Sequence, residues 1–230
     1  EVYGQARARD LRVIDATCPL VTKVHNEAKK FAADGYHIVL IGHEGHEEVV
    51  GTMGEAPASI TLIGQPDEAD GLDLPEGDKV AYLSQTTLSV DETNDVIERL
   101  RARFPVIQGP PREDICYATQ NRQTAVKVLA EKADVVLVIG SDNSSNSNRL
   151  AEVAAARGAR SYLIDDETEI DEAWLEGART VGITSGASAP EWLVDRVVGW
   201  FRARGVDDVE EVRVVEEDVH FALPKELEQT

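Results

Sequence analysis

Basic residues are the first scarcity. The 230-residue chain carries 23 Lys and Arg against 43 Asp and Glu, a formal charge of -20. Such a chain repels a phosphate backbone, which argues against nucleic acid as a partner. Any anionic ligand is left to hydroxyls, amides and helix N-termini. Cysteine is scarcer still: two residues are too few for a disulfide framework, and a cytoplasmic setting is expected. No apolar run approaches the roughly 20 residues that span a bilayer, so no membrane segment is expected. The glycine spacing of a dinucleotide fingerprint is absent as well; "IGHEG" is not G-x-G-x-x-G, so no nicotinamide or flavin motif is present.

Small polar residues, by contrast, are concentrated in unusual places. "SDNSSNSN", beginning at Ser141, separates an apolar run from a helix-like stretch. A helix cap needs one such residue, not eight. Apolar runs alternate with amphipathic ones along the chain, which predicts an α/β fold with mainly parallel sheet. Strands are expected at 12–16, 37–41, 59–63, 80–83, 135–139, 161–164 and 180–183. Helices are expected at 20–33, 90–103, 121–132, 148–157, 170–175 and 191–204, with Gly35, Gly158 and Gly205 as C-terminal stops.

The chain also matches itself. At an offset of 98, "DATCPLVTKVHNEAKKFAADGYHIVLIG" lies over "DICYATQNRQTAVKVLAEKADVVLVIG", and Cys18 falls on Cys116. At an offset of 101, "SQTTLSVDETNDVIERLRARF" lies over "TSGASAPEWLVDRVVGWFRARG", and Thr87 falls on Ser188. A repeated supersecondary unit is implied. The expected division is a tail over 1–11, an α/β unit with Cys18 over 12–110, a second with Cys116 over 111–212, and a C-terminal tail over 213–230. Arg7-Ala8-Arg9-Asp10 resembles the helix tails that close both units, so the chain is expected to begin in the last helix of an absent preceding unit.

Several side chains invite chemistry. The cysteines admit four readings: inert buried thiols, a disulfide, a zinc site without the usual close spacing, or thiolates at equivalent loops near a pseudo-axis. Three such thiolates would hold a [4Fe–4S] cluster with one open iron. In "GHEGHEEVVGTMG", His43, His46 and Glu48 read as a weak zinc site of a hydrolase, or as a solvated acidic turn. They also read as a ligand-bonding His46 beside a proton-donating Glu48. In "SQTTLSVDE", Ser89 and Glu92 form a capping box, leaving Thr86 and Thr87 for a hydroxyl ligand or a proton relay. In "SGASAPEW", Ser188 reads either as the cap of the last helix or as an anion contact.

Together "DATCPLVTKVH", "GHEGHEEVVGTMGE", "SQTTLSVDET", "DICYATQNRQ", "GSDNSSNSNRL", "GASAPEWLV" and "FALPKEL" resemble the LytB family of 4-hydroxy-3-methylbut-2-enyl diphosphate reductases, over essentially the whole chain. The resemblance implies a trefoil of three α/β units around a central iron–sulfur site, of which two units are present here. It implies reductive dehydroxylation of that substrate to isopentenyl and dimethylallyl diphosphate, the last step of the non-mevalonate isoprenoid pathway. It further implies a [4Fe–4S] cluster with three cysteine ligands and a ferredoxin- or flavodoxin-type electron donor. Cys18 and Cys116 resemble two ligands, and the third is expected in the absent unit with two substrate histidines. Glu48 resembles the proton donor, His46 and Thr86 its substrate-contacting neighbours, and Ser144, Ser145, Asn146 and Ser188 the diphosphate contacts. Glu47 stands where many members have proline. The stretch present here is expected to be inactive by itself. A non-catalytic diphosphate-binding module is the further alternative.

Overall fold

Two three-stranded parallel sheets form the frame of the computed structural model, which describes residues 2–74, 79–224 and 227. The first sheet contains β1 (Tyr36–Ile41), β2 (Ile60–Ile63) and β3 (Lys79–Ser84), in the order β2-β1-β3. The second contains β4 (Val135–Ile139), β5 (Arg160–Ile164) and β6 (Val181–Ser185), in the order β5-β4-β6. Around them lie α1 (Val2–Ala8), α2 (Pro19–Ala33), α3 (Glu47–Glu55), α4 (Pro66–Gly71), α5 (Val90–Arg103), α6 (Tyr117–Ala130), α7 (Ser145–Ala156) and α8 (Glu191–Arg202).

Parallel strands covered on both faces read as continuous apolar runs rather than alternating ones. Every residue of β4 is buried, and so are the last four of β1. Each sheet has two apolar clusters, one per face. Phe31, Ile38, Leu40 and Leu83 lie on one face of the first sheet, and Val39, Leu72, Tyr82 and Leu100 on the other. The second sheet divides likewise, with Val126, Val138 and Leu150 against Leu137, Ile164 and Phe201.

The repeat is real in three dimensions. Ile41 ends the central strand of the first sheet and pairs with Ile63 and Ser84; Ile139, 98 positions on, pairs with Ile164 and Ser185. Gly35, Gly158 and Gly205 all have positive φ, at 76°, 93° and 88°, as C-terminal helix stops require.

Four expectations need correction. Residues 12–16 form no strand: Asp15 accepts the Thr17 amide at 2.9 Å, a local turn that competes with extended pairing. The helix expected at 170–175 is two short 3₁₀ turns, Glu167–Glu169 and Glu172–Leu175, because Asp166 and Asp171 each cap a new start. The helices expected from 121 and 148 begin earlier, at Tyr117 and Ser145, since Cys116 and Ser144 are their caps. Ser188 does not cap α8, whose N-cap is Pro190 with no side-chain bond. Helices α3 and α4 were not expected at all.

Candidate active site

The loops after β1, β3 and β4 meet along one seam between the sheets, at the carboxyl ends of parallel strands, where α/β proteins place ligands. The first loop starts at Gly42 and turns into α3 through His46. Its Nδ1 accepts the Glu48 amide at 3.2 Å, so this histidine is a helix cap. Glu48 therefore sits in the first turn of α3 and points across to the loop after β3. One carboxylate oxygen accepts the Thr86 amide at 2.7 Å, and the other accepts the Thr86 hydroxyl at 3.0 Å. Burial pushes the Glu48 carboxyl up from its ordinary value, against the downward pull of those two bonds.

The same threonine reaches further. Its carbonyl accepts the Cys116 amide at 3.0 Å, so one residue links Glu48 to a cysteine. Both cysteines are free, Cys18 exposed and Cys116 half-buried, and both stand at helix N-caps, of α2 and α6. Neither the disulfide nor the inert buried reading survives this placement. The Cys116 sulfur lies 3.1 Å from the Thr119 hydroxyl and accepts the Thr119 amide at 3.4 Å. Helix N-termini favour negative charge, the state a metal-ligating thiolate carries.

The small polar run resolves into different roles. Ser144 caps α7, accepting the Ser147 amide at 3.3 Å. Ser145 accepts a hydrogen bond from the Thr87 hydroxyl at 3.0 Å and one from Gln85 Nε2 at 3.3 Å. Asn146 is 7% exposed, and neither its Oδ1 nor its Nδ2 has a hydrogen-bond partner. An unpaired buried amide is costly, and native proteins retain one chiefly where something else completes it. Asn146 and Glu48 are 98 positions apart, the offset of the repeat, and each lies in the first turn of its helix. Ser188 is exposed, on the β6–α8 loop, two residues past Gly186, where an added Cβ would lie 3.6 Å from Asn146 Nδ2.

A cleft of about 290 Å³ opens between the first and third loops, lined by His43, His46, Asn143, Ser145, Asn148, Arg149 and Glu152. Its one guanidinium is already engaged: Arg149 bonds Glu92 at 2.8 Å, Glu152 at 2.6 Å and the His43 ring at 3.3 Å. His43 is held below its usual value by burial first and by Arg149 second. Among the described residues no group of three or more His, Cys, Asp and Glu side chains could hold a metal ion, so His43, His46 and Glu48 do not make a zinc site.

Gln85 is the residue that sequence reasoning passed over. Its side chain is 1% exposed; Oε1 accepts the His43 amide at 3.1 Å, and Nε2 donates to Thr87 at 2.8 Å as well as to Ser145. It ties all three loops together. Its place between "S" and "TT" in a loop otherwise built of hydroxyls was the available signal.

A family model described as LytB protein matches residues 1–202. A 4-hydroxy-3-methylbut-2-enyl diphosphate reductase of Acidothermus cellulolyticus is 61% identical over 98% of this chain, which spans 67% of that protein's length. The reductase of Streptomyces avermitilis is 58% identical over the same shares. Among solved structures, the E-1-hydroxy-2-methyl-but-2-enyl-4-diphosphate reductase of Plasmodium falciparum superposes with a TM-score of 0.95 at 34% identity, covering 99% of this chain and 72% of that one.

Proposed function

Because this chain belongs to the LytB family, we propose that it performs the reductive dehydroxylation of 4-hydroxy-3-methylbut-2-enyl diphosphate. The products are isopentenyl and dimethylallyl diphosphate. The carbon–oxygen bond breaks, the hydroxyl leaves as water, and two electrons with two protons balance the step. The observation that carries the reading is the continuous link from Glu48 through Thr86 to Cys116, a proton source tied to a cysteine on the adjacent unit.

Cys18 and Cys116 would supply two thiolates to a [4Fe–4S] cluster, and the donor chemistry fits: both are free, at helix N-caps, and thiolate selects iron–sulfur over harder sites. Two thiolates are one short of the three that the family resemblance implies. When bound, the cluster supplies electrons one at a time together with Lewis acidity, and a ferredoxin- or flavodoxin-type protein would recharge it. The chain's own residues do the rest. Glu48, kept protonated more readily by burial, donates to the departing hydroxyl, and Thr86 orients the carboxyl from both its amide and its hydroxyl. His46 holds the first turn of α3 in place through its Nδ1, leaving its other ring nitrogen for the substrate. Ser145, Asn146 and Ser188, with the amides at the start of α7, would bind the diphosphate, and Ser144 assists by forming that helix start.

Anaerobic purification of the complete gene product tests this. It is expected to contain iron and sulfide and to reduce the substrate with an artificial electron donor; Cys18→Ser and Cys116→Ser are each expected to lose the cluster. Unchanged iron and sulfide in both variants would overturn the ligand assignment.

A further inference from the structure

Lys23 lies five residues beyond Cys18 on α2, and its ammonium reaches across to the segment leading into Cys116. Nζ donates to the Arg112 carbonyl at 2.7 Å, the Glu113 carbonyl at 3.1 Å and Asp114 Oδ1 at 2.8 Å. An ammonium has three donors, and all three are used on consecutive residues about 90 positions away. The Asp114 side chain is 1% exposed, and its other oxygen accepts the Ser84 amide at 2.9 Å, which fastens the segment to the end of β3. We propose that Lys23 is a positioning residue, a strap that fixes the separation and relative orientation of Cys18 and Cys116.

A counter-charge for Asp114 would need only the carboxylate contact. The two carbonyl bonds neutralise nothing; they hold backbone. Because Cys18 caps α2 and Lys23 is part of that helix, a fixed Lys23 fixes the N-terminal end of the same helix, where the cysteine stands. Exposed ion pairs contribute little, but this carboxylate is buried and the lysine side chain only 24% exposed. The consequence for a cluster rests on the cysteine assignment above; the strap itself does not.

The test exploits the chain having two cysteines in all. With a nitroxide on each, dipolar electron paramagnetic resonance of the metal-free 230-residue chain should give one narrow distance distribution. Lys23→Met should at least double its width, and Lys23→Arg, which keeps several donors, should leave it narrow. Lys23→Met leaves a buried carboxylate unpaired, so Lys23→Met combined with Asp114→Asn is the second variant; it keeps the Ser84 bond and removes the strap. An unchanged width in the combined variant overturns the proposal. In the complete gene product the combined variant should lose at least half of its iron and sulfide, with Lys23→Arg retaining them. Failure of the cysteine assignment would appear elsewhere, as Cys18→Ser and Cys116→Ser variants that keep their iron, whatever the distance measurement gives.

Discussion

Asn146 and Ser144 are two residues apart and should respond to alanine in opposite ways. Ser144→Ala removes a helix cap and should cost about 1 kcal/mol of stability, read as a lower melting temperature. Asn146→Ala removes no internal hydrogen bond, because both amide atoms are unpaired. Its melting temperature should hardly move, while diphosphate affinity falls roughly 10- to 100-fold, the equivalent of one bond to a charged group at about 1.5–3 kcal/mol. Calorimetric titration with product checks this; intact affinity with lowered stability would make Asn146 structural. Glu48→Gln keeps the shape of the side chain and loses its transferable proton. Turnover should fall by roughly 10²–10⁴ with iron content and product affinity retained; steady-state kinetics with a metal assay decide it. The threonine and glutamate of this pair were visible in the sequence as chemistry-bearing types. Gln85, Lys23 and Asp114 were not, because their roles depend on partners 30 to 91 positions away.

The strands were legible because each is a short apolar run between polar breaks. Helix α3 was not: "EEVVGTMGE" holds two glycines and three glutamates, and reads as a turn. Its signal was the repeat, which lays Glu47–Glu55 over the start of Ser145–Ala156. Gly42 and Gly140 explain why both helices can approach their strands. A Cβ at Gly42 would lie 2.6 Å from Val49 Cγ2, and one at Gly140 would lie 2.7 Å from the Cβ of Ser147, the repeat equivalent of Val49. A Cβ–Cβ clash is not relieved by rotating a side chain, so Gly140→Ala should destabilise by about 1–3 kcal/mol. At Gly186 the nearest obstacle is the Ser147 hydroxyl, with its Cβ 3.4 Å away, and Gly186→Ala should cost less. Urea titration of the two variants compares them. The loop at 12–16 misled because its β-branched pair Val13-Ile14 between charged residues is strand-like, and the local Asp15 turn outweighs it.

At the scale of the whole molecule, the halves touch through polar groups. Near the seam lies the Glu27 carboxyl, pushed up to about 7 by burial first and the neighbouring Asp114 charge second; burial raises Asp114 as well. A carboxyl whose folded value lies above its unfolded one binds its proton more tightly when folded. Its contribution is therefore full below about pH 4.5 and is lost as pH rises through 7. The melting temperature should fall by on the order of 2–4 °C between pH 5 and 8, and Glu27→Gln should flatten that slope in a differential scan. None of this was legible in a charge count of -20, which concerns the surface. Among the described residues, the buried apolar clusters stop at Ile115 on one side and resume at Val126 on the other, and none spans the two sheets. Between them run the bonds of Gln85, Thr87 and Ser145, of Gln123 to Leu88 and Val90, and of Lys127 to Asp91. Parting two apolar faces exposes surface that raises the heat capacity, and such contacts weaken on cooling. Parting these halves frees amides, hydroxyls and charges as well, whose hydration lowers the heat capacity instead. The joint between the halves should therefore hold in the cold, where each half's own apolar interior is losing its grip.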